Sequence, residues 1–192
     1  MTQIWWVRHG PTHAKTMTGW RDIPADLSDT DAVKRLADHV PGDAIFGSSD
    51  LIRSIATADA IAGDRPRLPP SALLREFNFG RWDGLHYAQI AEEWPDLSRQ
   101  FWETPGDITA PGGESWNDVS ARASLYTDSI LSSHPGKTIV LVAHFGIILT
   151  QVAQATGKTP YEALAQTINP LSVTQVDYSS GRPRLLLVNH NP

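Results

Sequence analysis

The sequence predicts an α/β fold: a three-layer sandwich with a mostly parallel central sheet, an antiparallel edge and helices on both faces. Continuous apolar runs at 4–7, 44–47 and 138–143 are typical of strands buried inside a parallel sheet. Two further strands, 171–178 and 184–189, are separated by a segment that contains Ser-Ser-Gly. This arrangement favours an antiparallel pair at the edge of the sheet.

Length and composition predict a single domain that spans residues 1–192. The chain is 41% hydrophobic, which suffices for one well-packed core but is short for two. Its net charge of -5 creates no basic field, so we expect neither nucleic acid nor a membrane as partner. The absence of cysteine excludes disulfides and thiol nucleophiles. With no leader pattern and no long apolar run, a cytoplasmic protein is expected.

Helical periodicity appears between the predicted strands. Ser28 is the predicted N-cap of a first helix, which ends at 41–42. Residues 48–50 open a second helix that runs to about Ala62, so Arg53 lies in its first turns. A strand followed by a helix N-terminus is a favourable place for an anion, and Arg53 would add a positive charge there. Taken alone, a solvated surface position is the simpler interpretation of Arg53.

The middle of the chain is predicted to form a loop and a cap. Residues 72–76 are expected to form a short strand that leads into 77–84, a segment with two glycines and three aromatic residues. Glu76 would then lie against apolar surface. Residues 86–111 are predicted to be a small cap segment, with one short helix over 86–94 followed by irregular chain.

Two histidines are predicted at the carboxyl ends of strands. Arg8-His9-Gly10 ends the first apolar run, and His144 directly follows the run at 138–143. Side chains at the carboxyl ends of parallel strands converge on a crevice outside the sheet. A cation beside an imidazole suits an anionic ligand there, and Gly10 would let the backbone approach that ligand closely. One Arg-His-Gly is weak evidence, but two histidines in equivalent positions indicate a site.

Together these motifs resemble the histidine phosphatase superfamily, the phosphoglycerate-mutase-like proteins, over nearly the whole chain. The motifs that carry the resemblance are Arg8-His9-Gly10-Pro11-Thr12, Arg53 after Ser48-Ser49, Leu74-x-Glu76-x-x-Phe79-Gly80-x-Trp82-x-Gly84, and His144 after its strand. Ala25-Asp26-Leu27-Ser28 and Gly113-Glu114-Ser115 also agree with the family pattern. Because order, spacing and identity agree, the resemblance is specific.

The resemblance implies a phosphomonoesterase that acts on a small phosphorylated metabolite. His9 would attack phosphorus, and water would then hydrolyse the phosphohistidine. Arg8, Arg53 and His144 would bind the equatorial oxygens, a task that metal ions perform in other phosphoryl-transfer enzymes, so no metal or other cofactor is expected. Glu76 would protonate the leaving oxygen, with a pKa raised by its aromatic neighbours. The expected substrate-binding residues are Arg8, Gly10, Thr12, Lys15, Arg53, His144 and Phe145.

The sequence departs from the family pattern at three points. An Asn that many members carry after the nucleophile is missing, and either Lys15 or His13 could replace it. Phe145 stands where the family usually has Gly, so it either crowds or lines the pocket. The cap is acidic and lacks the basic insertion of the mutases, which favours a phosphatase for substrates without a second anionic group. Its charged residues include Glu92, Glu93, Asp96, Glu103 and Asp107 against Arg99.

Two other functions stay open at this point. A cofactor-dependent phosphoglycerate mutase is disfavoured by the chain length and by the charge of the cap. A phosphate-binding module without turnover is disfavoured because both histidines, both arginines and Glu76 are present. Glu114 is either a second acid near the site or a favourable charge at a helix N-terminus, and we favour the latter. The sequence does not indicate the oligomeric state.

Overall fold

A five-stranded mixed sheet forms the centre of the structure, a computed structural model that describes residues 2–192. The strands are β1 (Gln3–Arg8), β2 (Ile45–Ser48), β3 (Thr138–Ala143), β4 (Val173–Asp177) and β5 (Arg184–His190). They lie in the order β2-β3-β1-β4-β5. Both β1 and β2 pair in parallel with β3, while β4 is antiparallel to β1 and to β5. The predicted α/β fold with an antiparallel edge is confirmed.

Helices cover both faces of this sheet because its strands are apolar on both sides. Along β1, Ile4 and Trp6 point into one buried cluster and Val7 into the other, as the two-residue period of a strand requires. No helix among residues 2–192 is long and apolar enough to cross a bilayer. The helices are α1 (Thr30–His39), α2 (Ile52–Ala62), α3 (Tyr87–Glu93), α4 (Pro95–Glu103), α5 (Trp116–Ser133), α6 (Phe145–Thr156) and α7 (Pro160–Leu164).

One predicted helix start and one predicted strand are wrong, in both cases because of local hydrogen bonding. The N-cap of α1 is Asp29 and not Ser28, because the Asp29 side chain accepts from the Ala32 amide at 3.0 Å. The short strand predicted over 72–76 is a 3₁₀ turn at Ala72–Leu74. Ser71 caps this turn, so the side-chain cap outweighs the strand-like composition.

The cap contains more helix than the sequence predicts. The irregular chain predicted after residue 94 is the helix α4, which begins with a proline at its first position and buries Phe101. A proline at N1 starts a helix as readily as it ends one, because its missing amide donor is not needed there. Like α4, the short helix α7 was not expected.

Candidate active site

The carboxyl ends of β1 and β3 bring two histidines together. The strands pair in parallel with Arg8 opposite Ala143, so the residue after each strand lies at the same sheet edge. His9 follows β1, and His144 follows β3 as the N-cap of α6. Their ring centroids are 5.0 Å apart at an interplanar angle of 60°. The sheet register therefore places the two predicted histidines in one crevice.

Hydrogen bonding fixes the tautomer of His9. Its Nδ1 lies 2.7 Å from the carbonyl oxygen of Gly10. Since a carbonyl oxygen only accepts, Nδ1 must carry the proton, and the lone pair is left on Nε2. Burial, with a smaller contribution from the charges of Arg53 and Arg8, lowers the His9 pKa to about 3, against the opposing effect of the Gly10 bond. The ring is therefore neutral near pH 7, with Nε2 available as a nucleophile.

Arg53 is buried in the first turn of α2 and positions the loop that follows His9 in the chain. Its Nη2 donates to Gly19 O at 2.7 Å and its Nη1 to Arg21 O at 3.0 Å. The carboxylate of Asp83 accepts from the amides of the same two loop residues, at 3.1 and 2.8 Å. A third donor, Nε, lies 3.2 Å from Nδ1 of His144. Arg53 is therefore no solvated surface residue, and two of its five N–H groups remain for a ligand.

His144 carries its proton on the opposite nitrogen from His9. Because Nδ1 accepts from Arg53, Nε2 is the protonated atom, and it donates to Ser54 Oγ at 3.3 Å. Complete burial, together with the electrostatic influence of His9 and Arg53, holds the pKa of His144 well below its usual range. His144 is thus a neutral N–H donor at this sheet edge.

Arg8 supplies a second guanidinium, and Phe145 packs against it. Nη1 of Arg8 donates to Ile168 O at 2.6 Å. The guanidinium carbon lies 5.5 Å from the ring centroid of Phe145, a cation–π distance. The buried Nε of Arg8 has no hydrogen-bond partner within residues 2–192. Phe145, the departure from the family pattern, therefore supports a cation of the site.

Glu76 lies buried at the N-terminus of α6. Its Oε1 accepts from the amides of Phe77 and Gly146, both at 3.0 Å. Burial raises the pKa of Glu76, although these amides and the charges of Arg53 and Arg8 oppose the rise. Gly146 allows this approach, because a Cβ there would lie 2.4 Å from Oε1. The carboxyl therefore keeps its proton to a higher pH than an ordinary glutamate.

The charges of these groups favour a bound anion. Two guanidiniums surround two neutral imidazoles, and the one carboxyl among them has a raised pKa. The site is therefore locally positive in a chain whose net charge is -5. No group of three His, Asp or Glu side chains within residues 2–192 is arranged to hold a metal ion.

Four other predicted residues have no side chain or amide in contact with these groups, although the Gly10 carbonyl binds His9. The amide of Gly10 donates to Thr57 Oγ1 at 3.0 Å, so it is not free for an anion. A Cβ on Gly10 would lie 2.5 Å from the Leu27 side chain and 3.2 Å from the Asp26 carbonyl oxygen, so the glycine also leaves room for a neighbouring loop. His13 is exposed and pairs with Asp26 at 2.8 Å. Thr12 is half-buried and Lys15 exposed, and no hydrogen bond joins either side chain to the described residues.

Arg122 holds the backbone of Glu76 in place, a role that sequence reasoning missed. Its Nη1 donates to the carbonyls of Leu73 and Arg75, at 2.9 and 2.6 Å. Its Nη2 donates to Glu76 O at 2.9 Å and to Glu114 Oε2 at 2.9 Å, and Nε donates to Glu114 Oε1 at 2.8 Å. All five donors of the guanidinium are used. Glu114 is thus the ion-pair partner of Arg122, not merely a charge at a helix N-terminus.

Replacing Arg122 with lysine is expected to lower stability by about 1–3 kcal/mol, because a lysine has three donors and cannot form this fork. Displacement of the Glu76 backbone should also reduce kcat/KM for alkyl phosphates by roughly 10²-fold. The loss should be smaller for aryl phosphates, whose leaving oxygen needs little protonation. Thermal unfolding and the ratio of alkyl to aryl kcat/KM are the measurements.

Arg99→Lys provides a matched control for the Arg122 variant. Arg99 pairs with Asp96 on the surface of the cap, with side chains 62% and 79% exposed. The thermal stability and the alkyl-to-aryl ratio of this variant should therefore equal those of the wild type within error. An alkyl-to-aryl ratio that is unchanged in Arg122→Lys would show that Arg122 stabilises the fold without positioning Glu76.

Comparisons with known proteins match one family over nearly the whole chain. The model of the histidine phosphatase superfamily (branch 1) matches residues 4–191. The chain spans about a third, 32%, of the length of the first curated relatives it matches, mycobacterial proteins that are 36% identical over 118 residues.

Two further curated relatives and one solved structure extend the comparison. A 2,3-bisphosphoglycerate-dependent phosphoglycerate mutase of Methylocella silvestris is 31% identical, with 72% of this chain and 73% of that protein covered. A metal-independent phosphoserine phosphatase of Arabidopsis thaliana is 29% identical, with 77% and 66% covered. The structure of a mycobacterial glucosyl-3-phosphoglycerate phosphatase with VO3 has a TM-score of 0.83 at 28% identity and covers 98% of both chains.

Proposed function

The chain belongs to the histidine phosphatase superfamily, and on that premise we propose that it is a phosphomonoesterase that forms a phosphohistidine at His9. The observation that carries the proposal is the state of His9: a neutral, buried ring whose Nδ1 donates to Gly10 and whose Nε2 is a free base. Arg8 and Arg53 supply the positive charge that a phosphate ester requires. The phosphatases among the similar proteins support this reaction class.

In the first step, Nε2 of His9 attacks phosphorus and the bond from phosphorus to the ester oxygen breaks. The leaving oxygen takes the proton of Glu76, so an alcohol departs and a carboxylate remains. Nδ1 keeps its proton, and the Gly10 carbonyl stabilises the positive charge that the phosphorylated ring acquires. The N–H groups of Arg8 and Arg53 that have no partner in the protein would stabilise the equatorial oxygens. The Nε2–H of His144 would join them by exchanging Ser54 Oγ for a phosphoryl oxygen.

In the second step, water attacks the phosphohistidine. The Glu76 carboxylate takes a proton from the water, the bond between phosphorus and Nε2 breaks, and phosphate departs. His9 returns to its neutral form and Glu76 to its protonated form, so the cycle closes. Because the guanidiniums of Arg8 and Arg53 balance the negative charge of the phosphoryl group, this cycle needs no metal ion.

A phosphatase assay in the presence of a chelator tests this function. Purified protein should release inorganic phosphate from alkyl and aryl phosphates at a rate that the chelator leaves unchanged. Movement of the phosphoryl group to another hydroxyl, as in the mutases of the superfamily, would contradict it. Binding of phosphate esters without turnover would identify a non-catalytic module and would also contradict it.

A further inference from the structure

An apolar cleft lies beside Glu76, which lines it together with Phe145 and Gly146, the two residues that follow His144. Its volume is about 50 Å³ when measured by where the centre of a water molecule fits, and about 420 Å³ when the adjoining open solvent is counted. Phe77, Phe79 and Phe101 form its floor, and each is less than a tenth exposed. Because the floor consists of packed aromatic rings, the cleft is a preformed surface for an apolar group.

The rim of the cleft comes from parts of the chain outside the sheet. Trp102 at the end of α4, Ile108 in the following loop and Leu164 in α7 are half-buried around the opening. Glu76 is the one charged side chain among the described residues that line it. A second phosphate or a carboxylate in this cleft would therefore lose its hydration without gaining a cationic partner.

We propose that this cleft binds the alcohol part of the substrate, and that this alcohol is an apolar alkyl or aryl group without a second anionic group. The inference depends on the proposed function, in which Glu76 protonates the leaving oxygen. That oxygen must lie within hydrogen-bond distance of the carboxyl group, so the carbon attached to it continues into adjoining space. The cleft is the space that adjoins Glu76.

On this proposal the surface acids of the cap contribute little to the preference, which the sequence analysis attributed to them. Glu92 and Glu93 are exposed on α3 and do not line the cleft. At ordinary ionic strength, charges on the surface are screened beyond about 10 Å. The lining of the cleft, and not the acidity of the cap, therefore determines which substrates bind.

A series of phosphate esters tests the proposal. For methyl, butyl and hexyl phosphate, kcat/KM should rise about two- to fourfold with each methylene that enters the cleft. Hexyl phosphate should exceed 6-phosphonooxyhexanoate, which ends in a carboxylate at similar length, by about tenfold or more.

Ile108→Arg places a cation at the rim of the cleft and should reverse this selectivity. We expect it to raise kcat/KM for the carboxylate ester and to lower it for hexyl phosphate. Circular dichroism and thermal unfolding show whether the variant folds. Should Ile108→Arg fail to fold, Leu164→Arg places the same charge on a different element and carries the same expectation. The double variant Glu92→Lys/Glu93→Lys is the matched control and should leave all ratios unchanged.

Three outcomes would overturn the inference. The first is equal kcat/KM for methyl and hexyl phosphate. The second is a wild-type preference for the carboxylate ester over hexyl phosphate. The third is a ratio of these two esters that changes in the double surface variant and not in the rim variants. All three outcomes leave phosphatase activity intact. The absence of phosphate release from every ester would instead contradict the proposed function itself.

Discussion

Replacing His9 with alanine is expected to reduce kcat/KM by at least about 10⁴-fold, for alkyl and aryl phosphates alike. The reason is that His9 holds the one imidazole nitrogen of the site with a free lone pair, since Nδ1 of His144 accepts from Arg53. Steady-state assays with and without a chelator provide the measurement. Circular dichroism and thermal unfolding should show an intact fold, so that the loss is chemical.

His134→Ala is the control for this variant. His134 caps the C-terminal end of α5, away from the sheet edge that carries His9, so kcat/KM should change little. Activity retained in full by the His9 variant would rule out the proposed nucleophile.

Glu76→Gln is expected to lower kcat/KM for alkyl phosphates by roughly 10²–10⁴-fold and for aryl phosphates far less. Glutamine keeps an oxygen that can accept from the Phe77 and Gly146 amides, so the local structure should persist. An alkoxide needs a proton as it leaves, whereas a phenolate does not. Because kcat/KM reports only the steps up to loss of the alcohol, the comparison isolates this proton transfer.

The pH dependence of the wild-type protein follows from the same carboxyl group. Burial raises the Glu76 pKa, so the protonated form persists above the usual titration range of a glutamate. Turnover of alkyl phosphates should fall as pH rises through this raised pKa, since the acid form is then lost. Glu76→Gln should abolish this fall.

If Glu76→Gln lowered kcat/KM equally for alkyl and aryl phosphates, a residue other than Glu76 would be the general acid. Two other carboxylates are engaged in other contacts: Glu114 pairs with Arg122 through both oxygens, and Asp83 accepts from the amides of Gly19 and Arg21.

Much of the fold could be predicted because its central strands leave an unambiguous pattern. The run at 138–143 is apolar at almost every position, which occurs when both faces of a strand are covered by helices. A residue at the carboxyl end of such a strand has a defined position, so His9 and His144 could be placed at the same edge. The register of β1 and β3 agrees with this placement.

Other features leave no local signal in the sequence. Arg122 contacts the carbonyls of residues 46 to 49 positions away, and any residue type presents the same carbonyl group. Irregular chain was predicted where α4 begins at Pro95, because a proline does not by itself distinguish the start of a helix from a loop. The cleft beside Glu76 combines residues from α4, the loop that follows it, α6 and α7, so it exists only once these elements have packed.

The position of the phosphoryl group on the enzyme tests the central proposal most directly. The Glu76→Gln variant should accept phosphate from an aryl ester but lack the base that activates water, so the intermediate should accumulate. After alkaline quenching, tandem mass spectrometry and phosphorus NMR should locate one phosphate per chain on Nε2 of His9, because Nδ1 is committed to the Gly10 carbonyl. Phosphate on Nδ1, on another side chain, or on none would contradict the mechanism.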